Sequence, residues 1–241
     1  MSDTESLTKY LTSYAGLYTE AVYNNFLVQA GVGAVEHDVL GLSLSQYRIF
    51  IGHAYPTFVG SLISRIPFDS KNTVDSNIDQ HHKHILRILL SCLERGIRND
   101  DYLVKTAGGS GFNLDQMETK GTRDHSAEMA RVSHNDLYEG LVFLWAIEKI
   151  YLDAWTFVRD MSNPSMTKSG SHIPTTYVQP VVRDLSETWT TLECIQSVDS
   201  LANVVDSLRI KPGSKEWGRA EEIWTRVVEL QVGFWPSDVE I

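Results

Sequence analysis

The sequence predicts an all-α protein built as one helical bundle. Three observations carry this. Apolar residues recur at three- and four-residue steps along most of the chain, no stretch gives a convincing strand alternation, and long segments run between short turns. The first segment, TESLTKYLTSYAGLYTEAVYNNFLVQA, opens with Thr4 in a capping position and carries Leu7, Leu11, Ala15, Leu17 and Val22 at helical spacing. GVG at 31–33 ends it. Residues 40–66, LGLSLSQYRIFIGHAYPTFVGSLISRI, predict one long helix kinked at Pro56, because proline lacks a backbone donor and its ring collides with the preceding turn. PFDSKN is a turn, after which Ser76 is placed to cap a helix running to about Arg98. GGSGF at 108–112 is a loop, GTRDHSAEMARVS a short helix, and 136–161 a long one. MSNPSMTKSGSHIPTTY at 161–177 reads as a polar loop, and two further helices, 184–209 and 214–235, are separated by KPGS. No repeat or long linker divides the chain, so residues 1–241 are expected to form a single domain.

Composition narrows the function classes. Of the 241 residues, 42% are hydrophobic and 22% charged, ordinary for a soluble globular protein, and the formal net charge is −10. That balance excludes nucleic acid or an anionic membrane surface as the main partner, since both need a basic face. Six Trp, ten Tyr and eight Phe suffice to line a cavity for a flat ligand. The two cysteines, Cys92 and Cys194, make no CxxC and no disulfide framework, and both read as small buried hydrophobes. The N-terminal MSDTESLTKYLTSY lacks the basic start and apolar centre of a signal peptide, and no apolar run reaches the roughly 20 residues that span a bilayer. The expected location is cytoplasmic.

Few motifs carry chemistry. HHKH (His81, His82, His84) suggests metal ligands, but only His81 and His84 share a helical face, and no acid at the required spacing completes a di-iron pair. A polar helix start explains the triplet better. The first histidine is His37, so the N-terminal segment offers no haem ligand, and no GxGxxG, GxxxxGK[ST] or GxSxG is present. No cofactor and no metal are expected. A metal oxidase would need about six inward ligands, for which His53, His125, Glu128 and Glu148 are a poor start. More telling is QYRIFIGHAYPTF at 46–58, which sets Tyr47, Arg48, His53 and Tyr55 among apolar residues. A helix with one wet face explains this, and so does a ligand cavity. His53 and His125 are the acid–base candidates, although each also suits a structural role. In EGLVFLWAIEKIYLDAW, residues 139–155, the uncharged run from Gly140 to Ile147 is followed by Glu148, Lys149, Tyr151 and Asp153. Glu148 reads either as a pocket residue or as half of an ion pair, with Lys149's side of the helix or with another helix; Lys149 and Asp153 form an i,i+4 pair beside it.

Five blocks resemble one known family. NNFLVQAGVGAV is similar to HPFL..AG.GTL, and LSLSQYRIFIGHAYPTFVGSLISRI to LS.WLSQDRLYA.AY..FIG.L...I. YEGLVFLWAIEKIYLDAWTFV is similar to LEGLV.LWA.EK.YL.AW.Y, LSETWTTLECIQSVDSLANVVD to L..NWTS.EF..FV..L..LVD, and VVELQVGFWP to VL.LE..FWP. Together they span about residues 20 to 236. The chain thus resembles the eukaryotic branch of the TenA (thiaminase II) family, whose fold is a haem-oxygenase-like helical bundle. That resemblance implies a cavity in which a cysteine attacks an aminopyrimidine ring carbon, an aspartate assists on the ring, a glutamate in the last helix moves protons and tyrosines shape the pocket. It also implies a dimer or tetramer.

The chain departs from that pattern at nearly every catalytic position. The aspartate position falls on Tyr47, or on Arg48 in the shifted register; the nucleophile falls on Ile150, or on Ile147 in the alternative alignment. The glutamate falls on Gln231, while Phe234 and Trp235 are retained, and an expected tyrosine falls on His125. Isoleucine forms no covalent adduct and glutamine exchanges no proton at neutral pH. The expectation is therefore a TenA-like protein without thiaminase chemistry, repurposed for non-covalent acid–base work (isomerisation, cyclisation or dehydration) on an organic substrate of specialised metabolism. Tyr47, Arg48, His53 and His125 are its expected catalytic residues, with Arg48 placed to hold a carboxylate or enolate oxygen. Tyr55, Glu148, Ile150, Tyr151, Gln231, Phe234 and Trp235 are expected to line the pocket. The alternative is a catalytically dead relative that binds a pyrimidine-type ligand or serves as a partner subunit.

Overall fold

A computed structural model describes residues 6–13, 16–69, 71, 76–162 and 180–236. Eleven α-helices and one π-helical turn make up the described residues, and no strand occurs among them. The N-terminal segment is three short helices rather than one: α1 (Leu7–Ser13), α2 (Tyr18–Val22) and α3 (Asn25–Val32). Asn24 breaks the run by capping α3, its side chain accepting from the Phe26 amide at 3.0 Å. Gly33 ends α3 at φ 73°, a left-handed cap that a side chain would strain. The expected cap Thr4 lies outside the described residues, as does Ala15.

The expected kinked helix is α4 (His37–Ile49), a π turn (Phe50–Ala54) and α5 (Tyr55–Ser64). The break precedes Pro56. Proline cannot donate to the Gly52 carbonyl, and the chain absorbs the loss by widening the turn before it, so that the Tyr55 amide donates to Phe50 O. Pro56 itself sits in the first turn of α5, where its missing N–H costs least. Next, α6 (Asn77–Gly109) runs past Arg98 and takes in the two glycines that open the expected GGSGF loop, while residues 110–112 lie beyond the helix, and Ser76 makes no side-chain cap. It is followed by α7 (Lys120–Ser133) and α8 (Leu137–Ser162). Most of the expected polar loop, 163–177, lies outside the described residues. The expected 184–209 helix is two: α9 (Pro180–Trp189) and α10 (Leu192–Ser207), parted where Thr191 caps the Cys194 amide. The last, α11 (Lys215–Phe234), is capped by Ser214.

The spine is α8, which touches α2, α3, α5, α7, α9, α10 and α11. Every residue from Glu139 to Ile147 is buried. A helix apolar all round can be stable only inside a bundle. Its one early charge, Glu139, is matched by Arg219 Nη2 at 3.2 Å and by the Asn135 amide at 2.6 Å. No described helix is long and apolar enough to cross a membrane.

Where α7 meets α11 the backbones nearly touch: a Cβ on Gly121 would lie 1.9 Å from the Gly233 carbonyl oxygen. Backbone cannot swing aside as a side chain can. Gly121→Ala should therefore destabilise the fold by about 1–3 kcal/mol or more, whereas Gly218→Ala, on α11 with nothing within 4 Å of the new methyl, should stabilise it by roughly 0.5–1 kcal/mol. Urea unfolding of the two variants checks both signs.

Candidate functional site

A cavity opens beside α8 where the uncharged run ends. Tyr47, Phe50 and Tyr55 from the α4–π–α5 run form one side, Arg95 and Asn99 of α6 the next, and Ile147, Glu148 and Tyr151 of α8 the floor. Trp189 at the end of α9 and Cys194 in the first turn of α10 complete the rim. The π turn matters here. Tyr47 and Tyr55 are eight positions apart, which in an unbroken α-helix would set them roughly 80° apart around the axis. A π turn takes up about one extra residue and brings both to the same face.

The centre of the site is a cluster of three side chains from three helices. The Tyr55 hydroxyl donates a short hydrogen bond to Glu148 Oε1. Arg95 Nη2 lies 2.7 Å from Glu148 Oε2. This is a charge contact without aligned N–H geometry, and Arg95 Nη1 is also buried with no hydrogen-bond partner. Arg95 is only 5% exposed. Burial, the largest single influence, pulls its proton affinity down, but Glu148 opposite, together with Tyr55, Cys92 and Cys194, outweighs that and holds it above its ordinary value. A buried charge is tolerated only with such a partner. The phenols are all pushed up and stay protonated. Tyr55 is raised by burial first, then by Cys92 and Glu148. Tyr47 is raised by burial and then Glu148, and Tyr151 by burial and then Tyr47. Cys92, sealed behind the cluster, is pushed up to about 11 by burial and then by Glu148.

The walls are aromatic. Tyr47 stacks on Tyr151 with ring centroids 5.0 Å apart and 13° between planes, and lies 4.6 Å from Trp189. Tyr47 thereby leans across the cavity, leaving about 40 Å³ of free volume between the walls. That holds water but is too small for an aromatic ring.

Tyr47, Tyr55, Glu148 and Tyr151 are thus brought together. The other expected residues are not. Arg48 points away from the cavity, its Nη1 2.9 Å from Asp115 Oδ1 and 3.3 Å from the Leu114 carbonyl. His53 is exposed and lines a separate groove with Ile49, Ser126 and His134. His125 is fully buried among Phe50, Phe143 and Phe234, with centroids at 5.0, 6.4 and 5.8 Å. Burial pushes it down to about 4, so it is a neutral core histidine. Gln231 packs beside it, and neither His125 Nδ1 nor Gln231 Nε2 has a partner. Phe234 belongs to the same sealed compartment. Ile150 is buried off the cavity wall, which Ile147 lines instead. Trp235 backs Tyr151 at 6.0 Å and donates from its indole to the Ala21 carbonyl at 2.8 Å. Lys149 and Asp153 form the expected i,i+4 pair at 2.6 Å, and Glu148 is the ion-pair partner of another helix while also facing the cavity. Sequence reasoning missed Arg95, Asn99 and Trp189, and it took the rim residue Cys194, which is partly exposed, for a buried hydrophobe. Among the described residues no three His, Cys, Asp or Glu side chains are grouped to hold a metal ion.

A TenA homologue from Pyrococcus furiosus superposes over 95% of this chain and 98% of its own with a TM-score of 0.75, at 17% identity. The chain has the TenA fold. A TenA family transcription regulator from Silicibacter gives a TM-score of 0.74 at 11% identity, covering 96% of this chain and 95% of that one. A putative TenA-like thiaminase from Sulfolobus solfataricus gives 0.64 at 14%, covering 95% and 93%. No protein-family model matches the chain. A curated relative described as a probable transcription factor of Fusarium pseudograminearum is 23% identical over an alignment of 269 positions that covers 98% of this chain. The chain spans about half (53%) of that relative's length.

The sealed histidine makes stability depend on pH. Folded His125 takes a proton only near pH 4, whereas in the unfolded chain it does so near 6.5. Between these values the unfolded state binds more protons. Stability present above about pH 6.5 is therefore lost as pH falls towards 4, by an amount on the order of 3 kcal/mol from this residue. Denaturant unfolding at pH 7 and pH 5 should show the fall, and His125→Gln should flatten it.

Proposed function

We propose that this chain is a divergent TenA-type protein of the eukaryotic branch that performs non-covalent acid–base chemistry on a small planar organic molecule: isomerisation, cyclisation or dehydration in specialised metabolism. The observation that carries this is the Tyr55–Glu148–Arg95 cluster on the wall of an aromatic cavity. Arg95 faces Glu148 and fixes the carboxylate in place. A fixed carboxylate can take a proton from a carbon next to a carbonyl and return it to a different carbon, while the neutral Tyr55 hydroxyl is placed to donate to oxygen. The isomerisation so written gains and loses no atoms. The Fusarium relative supports the eukaryotic placement.

A covalent thiol route is poorly served. No described histidine lines the cavity. Cys92 is sealed and pushed up to about 11. The Cys194 sulfur accepts from Thr191 Oγ1 at 3.3 Å and points at the Thr188 carbonyl at 3.7 Å. Neither Ile147 nor Ile150, the two positions to which the family resemblance assigns the nucleophile, can supply one. Two relatives carry transcription in their names, but a net charge of −10 speaks against direct contact with DNA.

One observation favours a second reading, a binding protein or partner subunit without turnover: Tyr47 already occupies much of the cavity. Proton exchange separates the two. Cyclic ketones, enones and keto acids incubated with the protein in D2O should lose a carbon-bound proton signal by NMR. Glu148→Gln should slow the exchange by about 10²- to 10⁴-fold, and Cys92→Ala/Cys194→Ser should leave it intact. Thiol-dependent turnover of thiamin or an aminopyrimidine would overturn the proposal. Ligand binding with no exchange or turnover anywhere in the panel would establish the second reading.

A further inference from the structure

The cavity wall holds hydrogen-bond donors that no described residue satisfies. Arg95 Nη1 is buried without a partner, and so is Trp189 Nε1; both residues line the cavity. Buried donors normally find acceptors, because leaving them unpaired forfeits their hydration for nothing. The one carboxylate on the wall is already engaged: Glu148 Oε1 accepts from Tyr55, and Oε2 faces Arg95 Nη2. The phenols of Tyr47, Tyr55 and Tyr151 are held protonated, so each brings a donor as well as an acceptor oxygen. Arg95 Nη1 and Trp189 Nε1 are thus left without an acceptor among the described residues.

Resting on the reading of this cavity as the ligand site, we propose that its ligand is a planar conjugated carboxylate, with the carboxylate on Arg95 Nη1 and the Trp189 indole N–H and the conjugated plane against the Tyr151 and Trp189 rings. A guanidinium edge suits a carboxylate geometrically. A dianion such as a phosphate monoester fits poorly, since among the described residues no lysine or second arginine lines the cavity and Glu148 stands beside Arg95. A donor-rich amine or aminopyrimidine would bring more N–H groups to a wall already oversupplied with them. The shape follows from the nearly parallel Tyr47 and Tyr151 rings, 13° apart in plane: a flat group takes the place of Tyr47 when that side chain swings aside.

The test uses tryptophan fluorescence and calorimetric titration of the full chain with benzoate, cinnamate and a conjugated dienoate. Benzamide, cinnamamide, benzylamine and 4-amino-2-methylpyrimidine serve as counterparts of similar shape. The expected result is that the carboxylates bind at least about tenfold tighter than their amides. Trp189→Phe, which keeps an aromatic ring but removes the indole N–H along with part of the ring area, should weaken carboxylates about three- to tenfold more than it weakens the amides. Arg95→Lys, which keeps the charge and removes the planar fork, should weaken them by more than about tenfold. Should Arg95→Lys fail to fold by circular dichroism, Trp189→Phe still decides. Preference for the amine or the aminopyrimidine, itself weakened by Trp189→Phe or Glu148→Gln, would overturn the ligand class while leaving the cavity as the site. Carboxylate binding unchanged in Trp189→Phe would place it elsewhere and overturn the proposal. Binding of no probe at all would overturn both this proposal and the reading it rests on.

Discussion

Arg95 and Glu148 face each other inside the bundle, and much of the architecture around the cavity is arranged to make that tolerable. Two charges removed from water cost several kcal/mol each unless they are close and otherwise well placed. Here the pair is 2.7 Å apart, and one further donor, Tyr55, comes from a third element. The contact therefore ties α5, α6 and α8 at one point. It also fixes where α8 changes character: every residue from Gly140 to Ile147 is buried and uncharged, and the next one is the carboxylate. A bundle held by apolar packing alone could slide by a residue at modest cost; one that must keep a buried charge matched cannot.

A second constraint is the wall between two compartments. Phe50 lines the cavity on one side and meets His125 edge-on at 5.0 Å on the other. Behind it, His125, Gln231, Phe143 and Phe234 are packed away from solvent. The imidazole is neutral there for the same reason that Arg95 is charged on the cavity side. Each takes the protonation state its surroundings make cheapest, one with no counter-charge and the other with one.

Much of the fold was legible because helical periodicity reports burial directly. The uncharged run in α8 and the aromatic-rich 46–58 block both proved to border the cavity. Boundaries were less legible. Asn24 and Thr191 act as caps within segments whose apolar spacing continues across them, and spacing alone cannot show a cap. For the site, Tyr47, Tyr55, Glu148 and Tyr151 converge, while Arg48 and His53 point elsewhere. Within 46–58 the spacing was counted as an ordinary helix, and the π turn changes the count partway. Arg95 was missed although a signal existed: it stands between Cys92 and Asn99, at three- and four-residue steps, on the same face as the buried Leu89, Cys92 and Gly96 of α6. A lone arginine on an otherwise apolar face is a mark of a buried partner. His125 drew attention as a titratable group, and nothing in the sequence around it announced the three phenylalanines that enclose it.

The π turn at Phe50–Ala54 has a consequence of another kind. It works as a spacer that corrects phase: the residues before it and those after it are each in step with their own neighbours, and only the one surplus position lets both present to the same side. Substitutions within this stretch leave that arithmetic intact. Straightening the same residues into a regular α-helix would rotate everything beyond them by roughly 100° relative to what came before, turning the Tyr55 hydroxyl away from its carboxylate while leaving the helix itself well formed; removal of one residue together with the widened turn would keep the phase. What the chain must keep here is therefore a phase: a widened turn with its surplus residue, or a plain helix one residue shorter, presents Tyr47 and Tyr55 to the same side, while Phe50 stays tied to its place in the wall.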